Sequence, residues 1–140
     1  MNILIFQKKA FYNFCVLAAF VFLLLCSMTV RAQQPEVKVF AHRGGRLEYD
    51  ENTLQAFREV YKKGLRGYEI DVRLTKDNHL VIFHDGNFKR IFGSEGSVEE
   101  STLEEIKTLY TKDGNQIPTL DEVLEFFNSK PWLYIEFEMK

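Results

Sequence analysis

The sequence predicts the α/β class, and within it roughly the first half of a (β/α)8 TIM-type barrel. Three observations carry this expectation. Beyond residue 36, short apolar runs alternate with stretches of helical periodicity, the order expected of parallel strands joined by crossover helices. The last run, residues 132–139, leaves the sequence on a strand, and an open half-barrel has an unpaired edge still to cover. Acids and histidines fall at or near the strand C-terminal ends, the face on which such barrels place their functional groups.

The first quarter of the 140 residues is of another kind. Lys8-Lys9 precede a charge-free apolar run, residues 10–26, and small residues follow at Val30 and Ala32. These are the parts of a secretory signal peptide. Residues 1–32 are therefore expected to be a leader cleaved before Gln33, leaving a secreted or periplasmic protein with no stable membrane insertion. The alternative is a membrane anchor through residues 10–26, because a spanning helix needs about 20 apolar residues. A lipid on Cys26 is disfavoured, since Leu23-Leu24-Leu25 offers none of the small residues such a site prefers. Cys15 and Cys26 both lie in the leader. The remainder can form no disulfide even in an oxidising compartment, and it offers a metal no thiolate, only oxygen and imidazole. The formal net charge of −2 supplies no bulk positive field for nucleic acid. Residues 33–140 are expected to be the N-terminal portion of a longer, truncated domain.

Residues 37–41 are β-branched and aromatic, a buried strand closed by the Gly44-Gly45 turn. Asp50 or Asn52 caps a helix on which Leu54, Phe57, Val60 and Tyr61 recur, with Gly64 as its stop signal. Residues 67–74 and 80–83 form strands around an Asp77-Asn78 turn. Too few residues separate them for a crossover helix. Either the chain turns back as a hairpin, which by equal counting sets Asp71 opposite His84, or it descends and climbs again as a parallel strand. Residues 89–101 read as a loop. Ser101-Thr102 with Glu104-Glu105 opens a helix carrying Leu103, Ile106 and Leu109. After an Asp113-Gly114-Asn115 turn, Pro118-Thr119 opens another, with Leu120, Val123, Leu124 and Phe127 on one face. Pro131 ends it, and residues 132–139 form the last strand.

The chemistry-bearing residues lie along this frame. Glu69 and Asp71 are two apart on a strand, so they share a face and can bind one hard cation. Two acids on a central strand are costly unless paired or metal-bound. Glu136, Glu138 and Lys140 share a face of the last strand, which is either a solvated edge or the wall of a site. His42 and Arg43 follow the first strand. An imidazole to move a proton and a guanidinium to fork two oxygens suit a phosphodiester. His84 ends its strand beside Asp85, whereas His79 follows a turn and reads as a surface imidazole.

Taken as an ordered set, His42-Arg43-Gly44, Glu51-Asn52-Thr53, Glu69-x-Asp71, Thr75-Lys76-Asp77, His84-Asp85, Thr102-Leu103-x-Glu105, Pro118-Thr119-Leu120 and Glu138-x-Lys140 resemble the glycerophosphodiester phosphodiesterase family. The resemblance covers essentially all of residues 37–140 and lacks the family's later strands. It implies a (β/α)8 barrel that hydrolyses glycerophosphodiesters to glycerol phosphate and an alcohol with a divalent metal ion, Ca2+ or Mg2+. It implies Glu69, Asp71 and Glu138 as metal ligands, His42 and His84 as the acid–base pair, and Arg43 and Lys140 as phosphate-binding residues. The nucleophile is water or the substrate's neighbouring hydroxyl, and the histidines take the two proton-transfer roles in either order. Two positions depart from the family: Asp50 stands where proline is usual, and the threonines common around Arg90-Ile91-Phe92 are missing. The rival readings are an inactive fragment, a non-catalytic binding protein of the same fold, and a barrel phosphodiesterase for another lipid head group.

Overall fold

A computed structural model of the chain describes residues 16–22 and 37–140. The chain divides into two units, Met1–Val37 and Lys38–Lys140. In the first, residues 16–22 are helical. Among the described residues no helix is long and apolar enough to cross a membrane. The basic start, both cysteines and the Val30–Ala32 cleavage segment lie outside the described residues.

The second unit runs β1 (Phe40–His42), α1 (Leu54–Lys62), β2 (Gly67–Leu74), β3 (Leu80–Ile82), α2 (Lys89–Phe92), α3 (Leu103–Ile106), α4 (Leu120–Asn128) and β4 (Tyr134–Met139). β2 is the hub. β1 and β4 both pair with it in parallel, Phe40 beside Gly67 and Tyr134 beside Gly67. α1 connects β1 to β2, and α4 leads into β4. This is the strand–helix–strand order of a parallel barrel wall. β3 pairs antiparallel to the upper half of β2, so the connection is a hairpin. Successive carbonyls of a strand point to opposite sides. The Asp71 carbonyl accepts from Phe83 N–H and the Val72 carbonyl from Lys140 N–H. β3 therefore continues β1's edge of β2, opposite β4.

Alternation along β2 divides the protein's interior from its site. Tyr68, Ile70 and Val72 point toward the helices and form one apolar cluster with Phe57 and Val60 of α1 and Val123 and Phe127 of α4. Glu69 and Asp71 point the other way. A second cluster, Val81, Phe83, Phe88, Val98, Ile106 and Ile117, lies under the segment between β3 and α4. Residues 89–101 are therefore more than a loop: Phe88 and Val98 are core residues, and the one-turn α2 stands between them.

Several boundaries differ from expectation for identifiable reasons. β1 starts at Phe40, because the ladder with β2 begins there; Val37 and Val39 are exposed. The cap of α1 is Thr53, in extended conformation with its hydroxyl accepting from Ala56 N–H, while Asp50 and Asn52 have other partners. The hairpin register is one residue from equal counting, with Leu74 facing Leu80 and Val72 facing Ile82. Asn78 adopts φ 65°, the left-handed residue that completes a three-residue hairpin loop and centres it on Asp77. Phe83, not His84, is therefore the residue level with Asp71. α3 is a single turn ending at Ile106. β4 starts at Tyr134; Trp132 before it is 86% exposed, with φ 60°.

Candidate active site

The parallel register of β2 and β4 puts Glu136 beside Glu69 and Glu138 beside Asp71. One carboxylate oxygen from each of Glu69, Asp71 and Glu138 lies within 4.8 Å of the others. Asp71, 0% exposed, is the buried member. Its Oδ2 accepts from Asn52 Nδ2 at 2.9 Å and lies 3.6 Å from Arg43 Nε. Its Oδ1 faces Lys140 Nζ at 3.2 Å in an ion pair. Lys140 also bonds Glu138, and this holds the Glu138 carboxyl below its usual range and the Lys140 ammonium above its own.

His42 ends β1 level with Glu69. Its Nε2 is 3.8 Å from Glu69 Oε2, and its side chain is 54% exposed. Arg43 then leaves the strand at φ 51°, which turns its own N–H to donate to Glu69 Oε2 at 2.9 Å. Its Nη1 donates to Glu51 Oε1 at 3.2 Å. The turn depends on Gly44: at φ 72° an added Cβ would come within 2.5 Å of Phe57 Cε1. Asn52 is also left-handed, φ 58°, and is thereby aimed at Asp71.

His84 is held at both ends. Arg73 Nη2 donates to its carbonyl at 2.8 Å, and its Nδ1 bonds Asp85 Oδ1 at 2.8 Å. Arg90 above all holds the Asp85 carboxyl down at about 2, against its partial burial and with help from His84. His84, Asp85, Arg73, Arg90 and Lys140 line an open cavity of about 570 Å³. Lys140 thus belongs both to the carboxylate cluster and to the cavity that His84 faces. His79 lies apart, 3.7 Å from Asp77 at the hairpin turn.

All seven residues singled out from the sequence lie around this site, and several partners were not foreseen. Asn52 serves Asp71 rather than the helix end, and Glu51 pairs with Arg43. Asp50 accepts from Thr111 Oγ1 and Asn115 Nδ2, tying the loop after β1 to the turn before α4. The Glu51-Asn52-Thr53 run was visible as a motif, but its contacts cross too much sequence to be read from it.

The donor set fits a hard divalent cation. Glu69, Asp71 and Glu138 face the fixed cations Arg43 and Lys140, leaving an excess of one negative charge. Among the described residues, Asn52 Oδ1 is a buried acceptor at this site without a hydrogen-bond partner. Buried polar atoms are nearly always satisfied, and all-oxygen ligation suits Ca2+ or Mg2+.

Comparison with known proteins identifies the family. The model of the glycerophosphoryl diester phosphodiesterase family matches residues 42–140. The glycerophosphodiester phosphodiesterase of Caldanaerobacter subterraneus is 43% identical over 109 residues, which is 73% of this chain and 44% of the relative. That of Bacillus altitudinis is 39% identical over 110 residues, 74% of this chain and 45% of the relative. The crystal structure of the Thermotoga maritima glycerophosphodiester phosphodiesterase superposes with TM-score 0.67 at 41% identity, covering 77% of this chain and 46% of that one. An Oleispira antarctica phosphodiesterase in complex with the product sn-glycerol-3-phosphate gives TM-score 0.67 at 32% identity, covering 74% and 44%. The chain thus spans a little under half the length of the relatives it matches, and the parallel strands β1, β2 and β4 are part of the (β/α)8 barrel of these neighbours. On the match over residues 42–140, the chain belongs to the glycerophosphoryl diester phosphodiesterase family.

Proposed function

We propose that the protein hydrolyses glycerophosphodiesters to glycerol phosphate and an alcohol, with Glu69, Asp71 and Glu138 holding Ca2+ or Mg2+. The observation that carries this reading is the three-carboxylate cluster, with an excess of one negative charge over the two cations it faces, flanked by two histidines. The relatives' activity and the sn-glycerol-3-phosphate bound in the Oleispira structure support the substrate class. When bound, the cation supplies positive charge to the phosphate oxygens as a Lewis acid.

The chain's own residues do the rest. Arg43 and Lys140 neutralise and orient the phosphate, the guanidinium by forking two oxygens and the ammonium as a point charge. His84, with Nδ1 donating to the ionised Asp85, presents Nε2 for proton transfer. His42, largely open to solvent, is the second proton-transfer group. One takes a proton from the nucleophile and the other gives one to the leaving alkoxide. Export through a leader of residues 1–32 belongs to the same proposal, and N-terminal sequencing of secreted protein should read Gln33 first.

The test is full-length protein with a glycerophosphodiester, assayed for glycerol phosphate. Release should require Ca2+ or Mg2+ and stop on chelation. His42→Ala and His84→Ala should each slow the chemical step by roughly 10²–10⁴-fold, the usual contribution of one general acid or base. Turnover that persists at the parental rate in both variants would overturn the two-histidine mechanism.

A further inference from the structure

We infer that Arg90 is a positioning residue for this reaction: one guanidinium that fastens the loop carrying Arg43 to the loop carrying His84. The inference rests on the acid–base reading of His84 above. Arg90 makes two forks at once. Nε and Nη2 donate to Asp85 Oδ2 and Oδ1 at 2.6 and 2.9 Å. Nη1 and Nη2 donate to Glu51 Oε2 and Oε1 at 3.0 and 2.6 Å. Each carboxylate has a second duty on the far side. Asp85 accepts from His84 Nδ1, and Glu51 accepts from Arg43 Nη1. The chain of contacts therefore runs His84–Asp85–Arg90–Glu51–Arg43, from a proposed proton-transfer group to a proposed phosphate ligand, with the Arg90–Glu51 link spanning 39 residues of sequence.

Only arginine meets this geometry. Its planar fork offers five donors along two edges, whereas lysine presents a single ammonium. An ionised Asp85 is acceptor-only, so a neutral His84 imidazole carries its proton on Nδ1 and keeps Nε2 as its acceptor. With Arg90 occupying both of its oxygens, Asp85 cannot turn away from His84. Burial pushes the Glu51 carboxyl up, and the guanidiniums of Arg90 and Arg43 outweigh it and keep Glu51 an anion able to hold Arg43.

Arg90 does not serve chiefly as a structural brace. Its side chain is 48% exposed, against 10% for Glu51 and 19% for Asp85, so solvent screening limits what its pairs add to stability. The one-turn α2 that carries it is fixed by apolar contacts instead: Phe88 is buried, and Phe88 and Phe92 both pack on Phe83. Removing the guanidinium should therefore leave the fold and loosen the two loops.

The experiment is a double-mutant cycle on kcat and KM in the full-length protein. Arg90→Gln should lower kcat roughly 10–100-fold, the range for outer partners of functional histidines, and raise KM several-fold. In an Asp85→Asn background the kcat loss should shrink to within about twofold, the scatter of independent sites. In a Glu51→Gln background the KM effect should shrink likewise. Arg90→Lys, which keeps charge without the double fork, should stay well below the parent. If Arg90→Gln does not fold, Arg90→Lys is read through the same two backgrounds. Losses that multiply undiminished in both backgrounds, or an Arg90→Lys enzyme equal to the parent, overturn the inference. His84→Ala separates the two levels: a parental rate there removes the acid–base reading and this inference with it. A slow His84→Ala enzyme with undiminished Arg90 losses overturns only the role of Arg90.

Discussion

Asp71 is the residue at which burial and charge compete most directly. A buried carboxylate persists only with partners, and Asp71 has Asn52 and Arg43 at Oδ2, Lys140 at Oδ1, and two other carboxylates close by. Asp71→Asn keeps the volume and removes the negative excess. We expect its metal-free thermal midpoint to equal or exceed the parent's. Added Ca2+ or Mg2+, which raises the parent's midpoint by binding the native state, should no longer do so. A metal-dependent rise of parental size in the variant would remove Asp71 from the ligand set. Asp85 gives the pH counterpart. Its folded value of about 2 lies below the ordinary 3.8, with Arg90 as the main cause. The stability it contributes is therefore fully present above about pH 4 and is lost as pH falls through 2. Urea midpoints measured from pH 5 to pH 2 should fall less steeply in Asp85→Asn than in the parent.

At the scale of elements, the local rules decide the helices and the long-range ones decide the sheet. Thr102 with Glu105 and Thr119 with Glu122 form complete capping boxes. Thr119→Ala should cost about 1 kcal/mol, the usual value of an N-cap, as a shift in the denaturant midpoint with unchanged slope. Gly67 works at longer range: an added Cβ would lie 2.2 Å from the Val39 carbonyl oxygen. Gly67→Ala should force β1 off β2, move His42 away from Glu69, and weaken metal binding more than it perturbs α4. The Thr102 box was readable because both partners sit within one turn, whereas at Thr119 the sequence showed the helix start but the Glu122 partner was missed. The span of β2 was readable because its alternation is regular. The hairpin register was not, since it depends on the left-handed Asn78 that displaces the loop centre by one residue. The second apolar cluster was also hidden: Phe83, Phe88 and Val98 follow no single period, so residues 89–101 looked polar and unstructured.

For the whole molecule, the order β1–β2–β4 puts the acids of β2 and β4 on one face and the helices on the other. The residue types of the site were legible because two-residue spacing fixes a face of a strand whatever the tertiary context. Their cross-links were not: Glu51 and Arg90 are 39 residues apart, and only folding brings them together. The same architecture makes a prediction about residues 33–140 expressed as an isolated piece. Among the described residues, β1 and β4 each pair only with β2, which leaves one edge of each open. Val39 and Phe40 flank one edge, and Tyr134, Phe137 and Met139 are exposed along the other. Open edges with apolar side chains recruit other chains. Glu138 and Lys140 also stand on the strand held from one side only, whereas catalytic groups need support within about half an ångström. Residues 33–140 alone should therefore sediment as oligomers and release glycerol phosphate far more slowly, at equal metal, than a version extended to the length of the relatives. A monodisperse monomer with the extended version's activity would show that three parallel strands and a hairpin hold the site unaided.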